Sequence, residues 1–480
     1  MSRRRLLLLL GGLLIAAWFV ALNLANARFG RADNGDFPRL AGPWVTKPVG
    51  FAVAWPDPAD PAWKRRFFNC WHRYWELQPA ASAPEPVPDL GTTRFLWVPG
   101  FALSRAFSTR PALDLAWVGV PFRLAGLLLL LGFYGLAVRH FGARFPALPF
   151  LVTLPLAVIA ADPRTTTFFH SLYRESGTIV FALLTVLGLA ALPGRRFWGP
   201  AALATLGGML FAGSATTHFF TAFLVAAALP VAFLRWEGRR APGWLGIALA
   251  MAALVAAGAQ SERQTAPQLR RNAAFDSLFM GALLVSGRPL EHLASLGFPK
   301  EARTQIGEVA FTRESQELIR EHPSLMSHRN TVRILLREPA IVPRLLWRGA
   351  AEVTGTAGSF WAVSDLACER KRPRLAGWTH LRARLLPGGG PVLALLAAGT
   401  VLGFLGLKSA DRRVFGVSLA LLFASLCALG ELAVTVLGDG FVEIARHLLT
   451  AGLSTDIVLA LLLWRLALAW VRWREEAQVP

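Results

Sequence analysis

Blocks of apolar residues long enough to cross a bilayer recur along this chain, broken by short polar connectors and two long polar stretches. About 20 helical residues span the roughly 30 Å hydrocarbon layer, so each block reads as a membrane helix. The first runs from Leu6 to Leu22, behind Arg3, Arg4 and Arg5, and a polar, proline-rich stretch follows to about Asp114. Six blocks then come at short intervals: Leu115 to Val138, Phe145 to Ala161, Ser176 to Leu192, Phe197 to Gly213, Phe219 to Leu234 and Trp244 to Ala259. After a second polar stretch to about Gly390, three more run from Pro391 to Leu407, Val414 to Leu432 and Leu448 to Val471. The pattern predicts an all-α polytopic membrane protein with about ten transmembrane helices and two large loops. Its parts are a first helix in 1–24, a loop in 25–114, a six-helix core in 115–259, a second loop in 260–390, and three helices with a tail in 391–480.

Composition agrees. With 54% hydrophobic and 17% charged residues over 480 positions, the chain is too apolar for a soluble domain. A net charge of +20 would point to nucleic acid in a soluble protein. Here arginines punctuate the ends of apolar blocks, and no basic tract is interleaved with stacking aromatics, so no nucleic-acid partner is expected. Short connectors carrying Arg139 and Arg144, Arg195 and Arg196, Arg235 with Arg239 and Arg240, and Lys408 with Arg412 and Arg413 fall on the side of the N-terminal arginines, as does the tail with Arg472 and Arg474. The opposite connectors, around Asp162, Ser214 to His218 and Gly438 to Glu443, are poor in cations. The positive-inside rule then puts both termini in the cytoplasm and both long loops outside. Leu6 to Leu22 also admits a cleaved leader, but its length and continuation into Asn23 to Arg28 favour a retained anchor.

In the first loop, Trp63, Phe67, Cys70, Trp71 and Tyr74 recur at helical spacing among cations, which predicts an amphipathic helix lying in the membrane interface or packed on the protein's own spans. Cys70 and Cys368 fall one in each loop, leaving a disulfide between the loops open, while Cys427 sits inside the ninth span. No sequence repeat is visible, which counts against an inverted-repeat transporter.

Candidate chemistry clusters on the loop side. The first loop opens with Asp33-Asn34-Gly35-Asp36-Phe37-Pro38-Arg39. A carboxylate held just outside the bilayer can take a proton from an acceptor hydroxyl while Arg39 pairs with a phosphate; an Asx turn leaving the helix is the plainer reading. Between the third and fourth spans, Asp162, Arg164, His170, Arg174 and Glu175 crowd one short connector. Ionisable groups at the mouth of an apolar helix pair, line a wet cavity, or cap and anchor the helix. At matching depth lie Arg123, His218 and the pair Arg446-His447, while Glu431 near mid-span is either part of this group or a helix–helix hydrogen-bond partner. Convergence of Arg123, Arg164, Arg174 and Arg446 beside Asp36, Asp162 and Glu175 would form a cavity able to hold a phosphate and activate a hydroxyl.

These features resemble the C-class (GT-C) integral-membrane glycosyltransferases, which use polyprenyl-phosphate-linked sugars as donors. The likeness covers the topology of about the whole chain. In motif, Asn34-Gly35-Asp36-Phe37-Pro38-Arg39-Leu40 is similar to the opening of bacterial hexose transferases of surface-glycan assembly. Tyr173-Arg174-Glu175 resembles the family's aromatic-X-Glu before the fourth span, Phe122-Arg123-Leu124 its Arg-Leu at the second, and Arg446-His447-Leu448-Leu449 its Arg-Tyr-Leu-Leu, with His for Tyr. The resemblance implies that Asp36, with Asp33 as rival, is the base or acceptor-orienting carboxylate, that Asp162 is the second acidic position, and that the product anomer is inverted. Asp162-Pro163-Arg164 lacks the second carboxylate of metal-using members, which puts a divalent metal in doubt and leaves no certain cofactor. Expected partners are the lipid-linked donor and a glycan or lipid acceptor. The competing readings are a transporter or flippase of lipid-linked glycans, and an O-antigen-ligase-like transferase that relies on arginines.

Overall fold

In a computed structural model of the protein, the described residues are 2–27, 29–31, 37, 44–49, 71–77, 88–142, 144–194, 196–236, 241–263, 267–354, 362–364, 377–442 and 444–477. Helix α1 is Arg3–Ala25, and α2, in the first loop, is Arg94–Phe107. The core runs through α3 (Leu115–Phe141, kinked at Gly119), α4 (Leu148–Ala161), α5 (Pro163–Phe169), α6 (Glu175–Ala191), α7 (Trp198–Ala212), α8 (Thr216–Trp236) and α9 (Ala241–Arg263). The second loop carries α10 (Pro267–Asp276), α11 (Pro289–Leu296), α12 (Arg313–Glu321), α13 (His328–Arg337), α14 (Ile341–Val353) and α15 (Gly377–Leu385). The chain then enters α16 (Gly389–Gly406), α17 (Arg412–Gly438), the short α18 (Ile444–His447) and α19 (Leu449–Glu476).

Among the described residues, seven helices, α1, α3, α8, α9, α16, α17 and α19, are each long and apolar enough to cross a bilayer, and α4 with α5 makes an eighth if counted as one span, bent by 55°. Helices α6 and α7 are apolar but shorter. The ten apolar runs read from the sequence each overlap a helix, seven of them, or eight with the bent pair, long enough to cross. Of the seven long helices, α17 and α19 are the most buried, with 67% of their apolar windows enclosed against 22% in α1 and 17% in α9. Close helix contacts rest on small residues. A Cβ at Gly11 of α1 would stand 2.6 Å from the Tyr134 hydroxyl of α3, and one at Gly188 of α6 would stand 2.8 Å from the Ala204 Cα of α7.

Hydrogen bonds group the arginine-bearing connectors at one end of the bundle. Arg4 Nε donates to the Gly142 carbonyl at 2.7 Å, and Arg144 pairs with Glu475 at 2.8 Å. Arg413 reaches the His140 carbonyl at 3.3 Å, Arg412 that of Gly194 at 3.4 Å, and Arg235 that of Ser409 at 3.4 Å. Both loops lie at the opposite end.

Among the described residues five short strands join this helical body, none of them anticipated from the sequence. Strand β1 (Phe29–Arg31), leaving α1, pairs antiparallel with β5 (Ala362–Ser364) of the second loop, and both lie against α5. Strands β2 (Val45–Pro48), β3 (Tyr74–Leu77) and β4 (Leu113–Asp114) form an antiparallel sheet within the first loop. The segment expected as an interfacial helix is described only from Trp71 onward, and that part is extended, running into β3. Trp71 and Trp75 are 1% and 0% exposed, so these aromatics pack inside the protein rather than in lipid. Helix α2 has the amphipathic character instead. Its Trp97, Gly100 and Ser104 are buried while Phe95, Val98 and Phe107 face outward. Gly100 lets α2 press on α3, since a Cβ there would lie 2.8 Å from Val118 Cα. Cys70 and Cys368 lie outside the described residues, and Cys427 is a free, buried thiol.

In the second loop Glu338 gathers the helices. It accepts from the Ser286 hydroxyl (2.6 Å), the Gly287 N–H (3.0 Å), the His292 ring (3.1 Å) and Arg344 (3.3 Å).

Candidate functional site

Asp162 stands at the break between α4 and α5. Pro163 disfavours a helical conformation in the residue before it, and Asp162 is extended at φ −62°, ψ 142°. Its carboxylate caps α5 by accepting the Arg164 N–H at 2.9 Å. From the second loop, Thr379 on α15 donates its N–H at 3.1 Å and its hydroxyl at 2.6 Å to the same carboxylate. One buried side chain therefore fixes both the helix break and the docking of α15.

Beside it, two arginines share one oxygen. Arg164 donates both Nη groups to the Val353 carbonyl at 3.2 Å, and Arg382 of α15 donates Nη2 to it at 2.8 Å. Val353 ends α14, where the helix dipole is negative. Arg382 Nη1 also lies 3.4 Å from Asp456 Oδ2 of α19. Gly452, one turn before Asp456, makes room: a Cβ there would stand 2.6 Å from Arg164 Nη2 and 3.2 Å from Arg382 Nη1. Arg382 is fully buried, and its Nε and Asp456 Oδ1 lack a hydrogen-bond partner.

The far end of α5 meets α3. A Cβ at Gly119 would lie 2.6 Å from the Phe169 carbonyl and 3.0 Å from His170 Cδ2, and Phe169 stacks on Phe122 with centroids 6.0 Å apart. His170 is fully buried, and its carbonyl accepts the Trp71 indole N–H at 2.8 Å. One turn beyond Gly119 on α3 comes Arg123, whose Nε and Nη2 are buried without a hydrogen-bond partner. Its charge is attracted by Asp114 and repelled by Arg73. Asp114, however, is already held by Arg73 in a two-pronged pair at 2.8 and 2.9 Å and caps α3 through the Ala116 N–H. Among the described residues, Arg123 and Arg73 face one carboxylate, that of Asp114.

Next to it is an aromatic box. Phe37, fully buried, meets Tyr173 edge-on at 5.1 Å and Trp75 at 5.8 Å, and Tyr173 meets Phe168 at 5.9 Å. Asp33, Asp36 and Arg39 lie outside the described residues. After Tyr173, the Arg174 carbonyl accepts the Thr93 hydroxyl at 2.8 Å, and Glu175 opens α6 with Oε2 buried and without a hydrogen-bond partner.

Other expected residues sit apart. His218 Nδ1 lies 2.6 Å from Glu431 Oε1, joining α8 to α17, and its Nε2 is 3.5 Å from the Thr450 hydroxyl of α19. Glu431 is thus a helix–helix hydrogen-bond partner. His447 stands 3.6 Å from Asp439, and the Arg446 side chain lies outside the described residues. Residues that sequence reasoning passed over are Arg73, Asp114, Thr379, Arg382 and Asp456. For Asp456 the signal was present, since it is an acid inside an apolar span. Arg382 had none, being one arginine among several in a polar stretch. Among the described residues no three His, Cys, Asp or Glu side chains are placed to share a metal ion. The Asp162 carboxylate is taken by three donors, the Arg164 N–H and the Thr379 N–H and hydroxyl.

Residues 115–478 match the family described as the YfdI N-terminal transmembrane domain. The chain belongs to that family. YfdI-type domains are GT-C-like membrane glycosyltransferases, and the matched region takes in every helix from α3 to α19. Residues 1–114, with Asp36, precede the matched YfdI region. Among solved structures, the Archaeoglobus fulgidus oligosaccharyltransferase tethered to an acceptor peptide containing the NVT sequon is similar at 12% identity over 93% of this chain, with a TM-score of 0.35. The chain covers 49% of that protein's length, and a likeness of this size carries no argument. No curated protein matches the chain.

Two predictions follow from this geometry. Removing one partner of a buried ion pair leaves the other uncompensated, so Arg382→Ala should destabilise the protein by about 3–5 kcal/mol. The double change Arg382→Met with Asp456→Leu should cost less than either single change. Thermal unfolding in detergent measures this, and a double variant as unstable as the sum of the singles would remove the pairing. The second concerns pH. Burial holds His72 down at about 4 from 6.5. Between those values the unfolded chain binds a proton that the folded one refuses, so stability falls as pH drops from 6.5 to 4. Burial opposes ionisation of Glu338, but the Gly287 N–H, Ser286 and His292 overcome it and hold its carboxyl at about 2 from 4.5, which extends the loss below pH 4.5. His72→Gln should flatten the upper part of that slope, as read from unfolding midpoints across pH.

Proposed function

We propose that this protein transfers a sugar from a polyprenyl-phosphate-linked donor to a hydroxyl of a glycan or lipid acceptor on the extracytoplasmic face of a bacterial inner membrane. The arginine-rich end, with both termini, then faces the cytoplasm, in keeping with the positive-inside rule. The observation that carries this reading is the unmatched charge of Arg123, buried with two nitrogens unpartnered at the loop end, where α3, α5 and the first loop meet. A buried guanidinium of this kind suits a phosphate, which it can meet with two parallel hydrogen bonds. Phe37, seated on Tyr173 and Trp75, makes Asp36 the covalent neighbour of a residue fixed in the aromatic box.

In the proposed reaction the acceptor oxygen attacks the anomeric carbon, its proton passes to Asp36, and the bond to the phosphate oxygen breaks. The electron pair leaves with the polyprenyl phosphate, whose growing charge Arg123 and Arg174 stabilise. Attack from the face opposite the leaving group inverts the anomeric carbon. Glu175, at the positive end of α6 with Oε2 buried, is assigned to orienting the acceptor. Asp162 and Arg164 act as positioning residues for α5 and α15. His218, with Glu431, and His447 are assigned to holding the outer ends of α8, α17 and α19.

In proteoliposomes supplied with a polyprenyl-phosphate sugar and acceptor, Asp36→Asn should reduce transfer by about 100-fold or more while inserting normally. Arg123→Gln should lower it less and raise the donor concentration needed. Full turnover in Asp36→Asn would reject the assigned base, and donor movement across the bilayer without glycosidic product would favour a flippase.

A further inference from the structure

A cavity of about 450 Å³ opens at the arginine-rich end, far from the site above, between the end of α16, the start of α17 and the last third of α19. Its lining includes Lys408, Arg465, Arg472 and Trp473 together with Leu405 and Leu468. Arg472 is paired with Glu476 at 2.8 Å and so adds little net charge. Lys408 and Arg465 have no carboxylate partner among the described residues. Of the acids nearby, Glu476, which also lines the cavity, is taken up by Arg472, and Asp411 is held by Arg413, whose Nη2 lies 2.9 Å from it. The arginine is also held in place: Arg465 Nε donates to the Ser418 hydroxyl at 3.0 Å, and neither Nη group has a hydrogen-bond partner among the described residues. Gly406 permits this arrangement, because a Cβ there would run into Ser418 and stand 3.4 Å from Arg465 Nη2.

Depth argues for what fills the cavity. Arg465 lies six residues before Val471, where the apolar run of α19 ends, roughly 9 Å along the axis at 1.5 Å per residue. A cation at that depth is expensive unless it reaches the interface or meets an anion there. The surface beside the cavity is apolar and outward-facing, with Leu402, Phe404 and Leu405 on α16 and Leu463, Leu466 and Trp473 on α19. A pocket that joins unmatched cations to an apolar flank at the end of a helix bundle fits a molecule with an anionic phosphate head and acyl tails.

We infer that this cavity binds the headgroup of an anionic glycerophospholipid of the leaflet on the arginine-rich side, with Lys408 and Arg465 on its phosphate and its acyl chains along α16 and α19. The inference stands apart from the sugar-transfer reading. Purified protein exchanged into phosphatidylglycerol or phosphatidylcholine of the same chain length would be compared by retained lipid in native mass spectrometry and by unfolding temperature. Phosphatidylglycerol should be retained preferentially and raise the midpoint, whereas phosphatidylcholine and inorganic phosphate should do neither. Lys408→Gln, at an exposed connector position that tolerates substitution, should weaken retention roughly five-fold, and adding Arg465→Gln should lower it by a similar further factor. Equal retention in Lys408→Gln and wild type, or the same stabilisation by inorganic phosphate alone, would overturn the assignment.

Discussion

Burying a guanidinium group inside a membrane bundle costs several kcal/mol unless its hydrogen bonds and charge are met. The Val353 carbonyl at the negative end of α14 accepts from both Arg164 and Arg382, with Asp456 as counter-charge to Arg382 and Asp162 two residues before Arg164. Because the partners come from α5, α14, α15 and α19, satisfying two charges fixes four helices from three distant parts of the sequence. The remainder of the loop end is arranged around that constraint.

Its main consequence is the position of α5. One end is bound through Asp162 and Arg164, and the other rests on Gly119 of α3 below the Trp71 indole. The strand pair β1–β5 lies against the same helix, so the exit of α1 and the second loop share its support. The aromatic box of Phe37, Tyr173, Phe168 and Trp75 forms at its C-terminal end, beside the unmatched charge of Arg123. A structural ion cluster at one end of a short helix thus holds a reactive surface at the other.

The membrane helices were legible because length and apolarity alone decide them, and the arginine connectors gave their common end. The Glu431 pairing was one of two readings that composition allowed, and only the placement of His218 on a neighbouring helix separates them. Strand pairing between Phe29–Arg31 and Ala362–Ser364 joins segments more than 300 residues apart, with no local signal in either. The aromatic run ending at Tyr74 had a helical period, yet Trp71 and Trp75 are buried by tertiary contacts that an extended chain serves better. The site was legible in type rather than in membership: its cations were expected on the loop side, but Arg382 and Asp114 become part of it only through partners contributed by other elements.

The central claim is that the unmatched cation on α3 and the carboxylate at residue 36 serve one lipid-linked substrate. A structure determined by electron cryomicroscopy with a polyprenyl phosphate bound tests it most directly. The account predicts phosphate density within hydrogen-bonding distance of Arg123, with the Asp36 carboxylate opening into the same cavity and the prenyl chain leaving between helices into lipid. Phosphate bound away from Arg123, or a residue 36 carboxylate walled off from it, would contradict the account.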